Sequence, residues 1–188
     1  MTTTRTIAVV GSGYMGGGIA QVLALAGHDV RIADVSQEIA EQNLQRLVDE
    51  AAQFVADGLF PADAVERIRA RITAAASIEE AVADADMVEE AVPERIEIKH
   101  DTLRRISAAA RPDAVIGSNT STILIERLAE AVERPERFLG VHFSNPAPFI
   151  PGVEIIPHAG TEAAAIELAE AVVAETGKET ARVKDATG

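Results

Sequence analysis

A glycine-rich turn near the amino end limits this chain to few folds. Residues Ile7–Val10 form an apolar run, which is typical of a buried parallel strand. Gly11, Gly13 and Gly16 follow with the spacing G-x-G-x-x-G, and helical spacing begins after them. In this pattern the first glycine permits a tight turn, the second lets a pyrophosphate approach the backbone, and the third packs helix against strand. The free N–H groups at the start of the helix also favour phosphates. The turn therefore predicts a dinucleotide site, provided that an acidic residue follows at the right distance.

Asp34 is that acidic residue, at the end of a second predicted strand over His28–Asp34. A carboxylate at this point accepts hydrogen bonds from the ribose hydroxyls of NAD, whereas the other interpretation is an aspartate that caps the next helix. A 2′-phosphate about 4 Å from it would be repelled by roughly 4 kcal/mol at an effective dielectric constant near 20. No arginine follows within Val35–Glu38 to receive such a phosphate. We therefore predict NAD rather than NADP as the cofactor. His28 is predicted to be solvated in the turn before the strand.

Composition excludes several classes of partner. The net charge of −13 opposes binding to nucleic acid or to an anionic membrane surface, and 3% aromatic content offers few platforms for base stacking. The chain has no cysteine, and no apolar run approaches the roughly 20 residues of a membrane span. We expect a cytoplasmic protein that binds a small-molecule substrate and holds no metal.

The rest of the chain alternates strands with helices, which predicts an α/β fold. The expected architecture is a Rossmann-type, doubly wound, mainly parallel sheet with helices on both faces. Ser36 and Thr161 are predicted helix N-caps, and Pro61 is predicted to open a helix in its first turn. The clearest further elements are predicted helices over 37–57 and 96–109 and predicted strands over 114–119, 138–143 and 153–156.

Four polar residues fall at predicted strand ends or in the loops that follow them: Ser121, His142, Asn145 and Glu154. Because the carboxyl ends of parallel strands meet at one edge of a sheet, these residues are expected to lie near the cofactor. A histidine can take the hydroxyl proton in an alcohol dehydrogenation, and a carboxylate behind it would fix its tautomer. The other interpretation of His142 and Glu154 is a histidine bound to backbone and an exposed glutamate.

Four motifs stand in the order and approximate spacing of a known family: Gly11-x-Gly13-x-Met15-Gly16-x-Gly18-Ile19-Ala20, Ser118-Asn119-Thr120-Ser121, His142-Phe143-x-Asn145-Pro146 and Val153-Glu154-Ile155. Over essentially all 188 residues the chain resembles the N-terminal domain of the L-3-hydroxyacyl-CoA dehydrogenase family. The resemblance implies hydride transfer between NAD and the C3 hydroxyl of a 3-hydroxyacyl-CoA thioester.

The resemblance also implies roles for single residues. His142 would be the base, Glu154 its partner, and Ser121 a hydrogen-bond donor to the 3-oxygen of the substrate. The residues implied at the cofactor are Gly11, Gly13, Tyr14, Met15, Gly16, Asp34, Glu94, Lys99, Asn119 and Asn145. A lysine on the helix surface is the other interpretation of Lys99, and His100 and His158, which match no motif, are expected to be solvated.

Two departures from the family bear on activity. The family's helical C-terminal domain closes the cleft and forms the dimer interface, whereas this chain ends at Lys184–Gly188. We therefore expect residues 1–188 to form an NAD-binding domain that turns over poorly and dimerises only with that second domain.

The second departure concerns the substrate. Residues Asp49–Asp57 contain no lysine for docking the CoA nucleotide, and the loop Phe149–Gly152 looks like that of gulonate and carnitine dehydrogenases. A free 3-hydroxycarboxylic acid is thus the alternative substrate, and a non-catalytic NAD-binding protein is the alternative outside catalysis.

Overall fold

The computed structural model describes residues 3–186, and their strands form one sheet in the order β3-β2-β1-β4-β5-β6-β7-β8. The strands are β1 Thr6–Val10, β2 Asp29–Ala33, β3 Ile72–Ala74, β4 Met87–Glu90, β5 Val115–Ser118, β6 Phe138–Phe143, β7 Gly152–Pro157 and β8 Glu179–Arg182. The helices are α1 Tyr14–Ala26, α2 Gln37–Ala56, α3 Ala64–Arg71, α4 Ile78–Val82, α5 Ile96–Ala109, α6 Ile125–Ala129 and α7 Ala163–Glu175, with a 3-10 turn at Pro135–Arg137.

Strands β1 to β6 are parallel to one another, β7 runs antiparallel to β6, and β8 is parallel to β7. The chain places β2 and β3 on one side of β1 and then crosses to place β4 on the other side. The carboxyl ends of β1 and β4 flank this reversal, which is where ligands bind in open α/β sheets. The prediction of a Rossmann-type, mainly parallel sheet is confirmed.

The pleat of the strands divides the core between the two faces of the sheet. In β1, Ile7 and Val9 point to the face covered by α1, α2, α3 and α7, while Ala8 and Val10 point to the face covered by α4, α5 and α6. Because both faces are covered, the central strands are buried along their length rather than on alternate residues. This rigid layer fixes the strand ends that carry the polar residues.

Two predicted helix starts are wrong, and one is confirmed. The Ser36 hydroxyl accepts a hydrogen bond from the Ile39 N–H and caps α2 as predicted. Thr161 does not cap α7, because its hydroxyl donates to the Phe138 carbonyl and accepts from the His158 N–H. Pro61 precedes α3 by three residues and its carbonyl accepts from the Ala64 N–H, so it lies in a turn before the helix.

The prediction of a solvated His28 is also wrong. Its side chain is fully buried, with Nε2 at 3.1 Å from Glu175 Oε2 and Nδ1 accepting from the Arg5 N–H. Burial lowers the pKa of His28, against the attraction of Glu175. The residue that covers His28 comes from α7, 147 positions later in the chain, so the local sequence carries no sign of this contact.

No helix among residues 3–186 combines the length and the apolar character needed to span a bilayer.

Candidate active site

A cavity of about 770 Å³ opens at the carboxyl ends of β1, β2, β4 and β5. It lies at the reversal of strand order, and the glycine turn, the end of β2 and the exposed side of α5 form its walls. The residues that line it are Val10, Gly11, Gly13, Met15, Asp34, Val35, Ile78, Ala91, Val92, Pro93, Glu94, Glu97, Ile98, Asp101, Thr102, Arg105, Asn119 and Ser121.

The glycine turn leaves room for a phosphate group in this cavity. Gly11 has a φ of +94°, and a Cβ there would lie 2.7 Å from the Ala91 carbonyl. A Cβ at Gly16 would lie 1.8 Å from the Gly11 carbonyl oxygen, so α1 packs directly on the turn. A Cβ at Gly13 would meet no atom within 4 Å, which means that the backbone at Gly13 is open to a ligand. The three glycines therefore permit the tight turn, the approach of a ligand to the backbone and the packing of the helix, as the G-x-G-x-x-G pattern predicts.

Asp34 is held at the mouth of the cavity by the same turn. Its Oδ2 accepts hydrogen bonds from the N–H and the hydroxyl of Ser12 at 2.8 and 2.7 Å, and its Oδ1 accepts from the Val35 N–H. From α2, Asn43 donates to the Ser12 hydroxyl at 2.9 Å, and Arg46 donates to the carbonyls of Ser12 and Gly13. The carboxylate is therefore fixed before any ligand arrives.

His142 and Glu154 face each other across the antiparallel pair β6–β7. The His142 Nδ1 lies 2.8 Å from Glu154 Oε2, and the His142 Nε2 lies 3.2 Å from the Ser121 hydroxyl. A carboxylate only accepts hydrogen bonds, so Nδ1 carries the proton toward Glu154, and in a neutral ring Nε2 is then the acceptor. Strand register thus joins two residues that are twelve positions apart, and the loop after β5 adds Ser121.

Glu94 holds the turn that carries Ser121. Its Oε1 accepts from the Thr120 hydroxyl at 2.6 Å and from the N–H groups of Ser121 and Thr122 at 2.9 Å each. Burial acts to raise the pKa of Glu94, but these donors and the charge of Lys99 outweigh it and lower the pKa to about 2. The carboxylate is therefore ionised throughout the physiological range.

Lys99 is neither a surface residue nor part of the cavity wall. Its side chain is 1% exposed, and its ammonium lies 2.8 Å from Glu90 Oε1 and 3.4 Å from Glu94 Oε2. The resemblance implies that Lys99 contacts the cofactor. Its position does not favour that contact, because the residue lies behind the wall of the cavity. The reason is Glu90, a buried carboxylate at the end of β4 that needs a positive partner.

The two consecutive glutamates of β4 point to opposite faces of the sheet. Glu90 accepts from Lys99, from the Ser118 hydroxyl at 2.6 Å and from the Val92 N–H at 2.8 Å. Glu89 is equally buried, and neither of its carboxylate oxygens has a hydrogen-bond partner among the described residues. Burial raises the pKa of Glu89 well above its usual value.

The remaining residues that the sequence analysis singled out lie in varied surroundings. Asn119 lines the cavity and its side-chain oxygen accepts from the Phe143 N–H at 2.8 Å. Met15 lines the cavity, Tyr14 is 64% exposed beside it, and Asn145 is exposed on the loop after β6. His100 and His158 are half-buried rather than solvated, and each ring bonds a backbone carbonyl.

Sequence reasoning missed Asn43, Arg46, Glu90 and Ser118. The only signal for Arg46 was its position as the single basic residue on the polar face of α2. Among residues 3–186 no group of three or more metal-ligating side chains is arranged to hold a metal ion.

The comparison with protein families decides the relationship. The family model described as the 3-hydroxyacyl-CoA dehydrogenase NAD-binding domain matches residues 6–186. The chain belongs to the 3-hydroxyacyl-CoA dehydrogenase family. The matched part is the domain that binds NAD, so the prediction of NAD as cofactor is confirmed, and the cavity and glycine turn described above fit that group.

Individual relatives agree with this assignment. The chain is 38% identical to a 3-hydroxybutyryl-CoA dehydrogenase of Bradyrhizobium diazoefficiens over 96% of its own length and 61% of the relative. It is 39% identical to an L-carnitine dehydrogenase/betainyl-CoA thioesterase of Rhizobium meliloti, over 94% of the chain and 35% of the relative. The crystal structure of 3-hydroxybutyryl-CoA dehydrogenase from Escherichia coli superposes with a TM-score of 0.90 at 34% identity, over 98% of the chain and 39% of that structure. The chain thus spans between about a third and two thirds of the length of these relatives.

Proposed function

We propose that the protein transfers hydride between NAD and C3 of a 3-hydroxyacyl-CoA thioester, with His142 as the general base for the C3 hydroxyl. The observation that supports this most is the position of the His142 imidazole. Its Nε2 faces Ser121, which also lines the cofactor cavity, while its Nδ1 is engaged by Glu154. A protein that only bound the dinucleotide would not need this pair.

Oxidation of the alcohol requires a proton and a hydride to leave together. In the proposed reaction His142 Nε2 takes the proton of the C3 hydroxyl, and a carbon–oxygen double bond forms as the hydride leaves C3. NAD, when bound, supplies the acceptor for that hydride. In the reverse direction the imidazolium returns the proton to the oxygen.

Glu154 and Ser121 would support the base in different ways. The Glu154 carboxylate, at 2.8 Å from Nδ1, would select the tautomer of the neutral ring that carries its proton on Nδ1, and would stabilise the imidazolium after proton transfer. Ser121 is held near Nε2, so its hydroxyl can donate to the 3-oxygen of a substrate bound between them.

Most of the proposed cofactor contacts line the cavity, whereas Tyr14, Gly16 and Asn145 do not and are proposed from the family resemblance. Gly11, Gly13 and Gly16, with Tyr14 and Met15, would surround the pyrophosphate at the start of α1, and Asp34 would accept from the ribose hydroxyls. Toward the nicotinamide end we propose Glu94, Asn119 and Asn145.

Replacement of Asp34 is expected to change cofactor choice. Asp34→Ser removes both the acceptor for the ribose hydroxyls and the charge that repels a 2′-phosphate, so the ratio of the Kd values for NADP and NAD should fall about 100-fold. Fluorescence titration with NADH and NADPH measures both values. Asp49→Ser, on the exposed face of α2, is the matched control and should leave the ratio unchanged. An unchanged ratio in Asp34→Ser would contradict the ribose role.

A free 3-hydroxycarboxylic acid is the second candidate substrate. The end of α2 and the turn after it carry Asp49, Glu50, Asp57 and Asp63, whereas Arg46 and Arg67 are already paired with Glu50 and Asp63. Such a face gives little support to the phosphates of CoA. The relative named L-carnitine dehydrogenase/betainyl-CoA thioesterase favours the same candidate, because carnitine is a free hydroxy acid.

A substrate panel separates the two candidates. NAD reduction is followed by the absorbance of NADH with 3-hydroxybutyryl-CoA, 3-hydroxybutyrate and carnitine at equal concentration. We expect kcat/KM to be highest for the CoA thioester. A higher value for either free acid would move the proposal to the second candidate.

A further inference from the structure

The turn that carries Ser121 is not fixed by regular secondary structure. Residues 119–124 lie between β5 and α6 and belong to neither. Ser121 itself is exposed, yet its hydroxyl must stay within hydrogen-bond reach of His142 Nε2, 3.2 Å away. Other parts of the molecule must therefore hold the turn in place.

Glu94 supplies this support from the loop after β4. One oxygen, Oε1, receives the Thr120 hydroxyl and the N–H groups of Ser121 and Thr122. These donors come from three consecutive residues, so the carboxylate fixes both the position and the direction of the turn. A charged acceptor makes such bonds about twice as strong as a neutral one.

Glu94 is in turn fixed by a buried ion pair. Its other oxygen, Oε2, faces the Lys99 ammonium at 3.4 Å, and that ammonium also bonds Glu90 Oε1 at 2.8 Å and the Val92 carbonyl at 3.2 Å. The side chains of Lys99 and Glu90 are 1% and 0% exposed. Ser118, the last residue of β5, bonds the far side of Glu90 at 2.6 Å. Residues at the ends of β4 and β5 therefore hold the Lys99 ammonium in place.

We propose that Glu94 is a positioning residue for Ser121, and that the buried Lys99–Glu90 pair holds Glu94 in place. This inference rests on the proposed function, in which Ser121 acts beside His142. The contacts that connect the sheet to the turn pass through Glu90, Lys99 and Glu94 in that order, and we call this series the relay. The Lys99 ammonium lies behind the cavity and contacts both glutamates. An error of 1 Å in such a group can cost about 100-fold in rate, which gives the relay a catalytic consequence.

The first test is a double-mutant cycle between Glu94→Gln and Ser121→Ala. Glutamine keeps the size and one acceptor oxygen of Glu94 but removes the charge that pairs with Lys99. We expect Glu94→Gln to lower kcat by about 10- to 100-fold, and to have no further effect when Ser121 is already alanine, since residues that act as a unit are not additive.

The matched control is Glu170→Gln, which breaks the ion pair with Arg182 on the outer surface of α7 and β8. It should leave kcat unchanged. Equal losses for Glu94→Gln in both backgrounds would overturn the inference, as would an unchanged kcat in Glu94→Gln alone. If Ser121→Ala lowers kcat and Glu94→Gln does not, the inference fails while the proposed function stands.

The second test needs no turnover. Amide hydrogen exchange by NMR reports the Ser121 and Thr122 N–H groups, and the ¹⁵N shift of His142 Nε2 reports its contact with Ser121. Glu94→Gln is expected to raise both exchange rates at least tenfold and to move the Nε2 shift toward its value in Ser121→Ala.

Lys99→Met removes the ion pair and should show the same increase in exchange and the same change in the Nε2 shift. If Lys99→Met does not fold, Ser118→Ala is used in its place, because it removes one hydrogen bond from Glu90. Exchange at the wild-type rate in Glu94→Gln would overturn the inference even if the protein proved inactive. Wild-type exchange in the variants of Lys99 and Ser118 would overturn the part of the relay behind Glu94.

Discussion

His142→Ala is expected to lower kcat by about 10²- to 10⁴-fold, because the C3 hydroxyl loses the base that takes its proton. The Kd for NADH should stay within about threefold of the wild-type value, since His142 does not line the cofactor cavity. Stopped-flow kinetics and fluorescence titration measure the two quantities on the same preparation.

His158→Ala is the matched control for that experiment. Like His142, it is half-buried. Its ring, however, lies in the turn after β7 and bonds the backbone carbonyl of Pro135. It should leave kcat within about twofold of wild type. Wild-type turnover in His142→Ala would exclude His142 as the base.

Glu89→Met is expected to stabilise the protein by about 2 kcal/mol at neutral pH. Its carboxyl group is buried without a hydrogen-bond partner among the described residues, and such a group costs about 1–3 kcal/mol. Methionine has a similar length and can lie over Gly117, where the absence of a side chain makes room for Glu89. Urea unfolding monitored by circular dichroism gives the free energies of unfolding.

Glu89→Gln isolates the effect of ionisation on this stability. Burial raises the pKa of Glu89 well above its unfolded value near 4.5, so the folded state keeps a proton that the unfolded state releases. The contribution is fully present below about pH 4.5 and is lost as the pH rises toward the folded pKa. Wild type should therefore lose stability relative to Glu89→Gln as the pH rises above about 4.5.

His28, whose pKa burial lowers, titrates in both proteins and cancels from that difference. Glu167→Gln, on the exposed face of α7, is the control and should follow wild type at every pH. Parallel profiles for wild type and Glu89→Gln would show that Glu89 has no raised pKa.

The parts of the site that the sequence predicted depend on local spacing. The glycine turn and Asp34 were predictable because strand, turn and helix follow one another within 30 residues and impose their own geometry. His142 and Glu154 were predictable as candidates because both fall in strands. Their 2.8 Å contact, however, depends on the antiparallel register of β6 and β7, which the sequence left open.

The parts that the sequence did not predict depend on contacts between distant segments. Lys99 could be taken for a surface residue because its burial is caused by Glu90, on a strand that α5 covers. His28 was misplaced for the same reason, since α7 buries it from the far end of the chain. Thr161 has the composition of a helix cap, but the Phe138 carbonyl competes for its hydroxyl.

Transfer of hydride from C3 of the substrate to NAD can be followed with a deuterium label at C3. The protein is incubated with NAD and 3-hydroxybutyryl-CoA that carries deuterium at C3, and the NADH formed is analysed by mass spectrometry. We expect one deuterium in each NADH, located on C4 of the nicotinamide ring. NADH formed without deuterium would contradict the proposed hydride transfer.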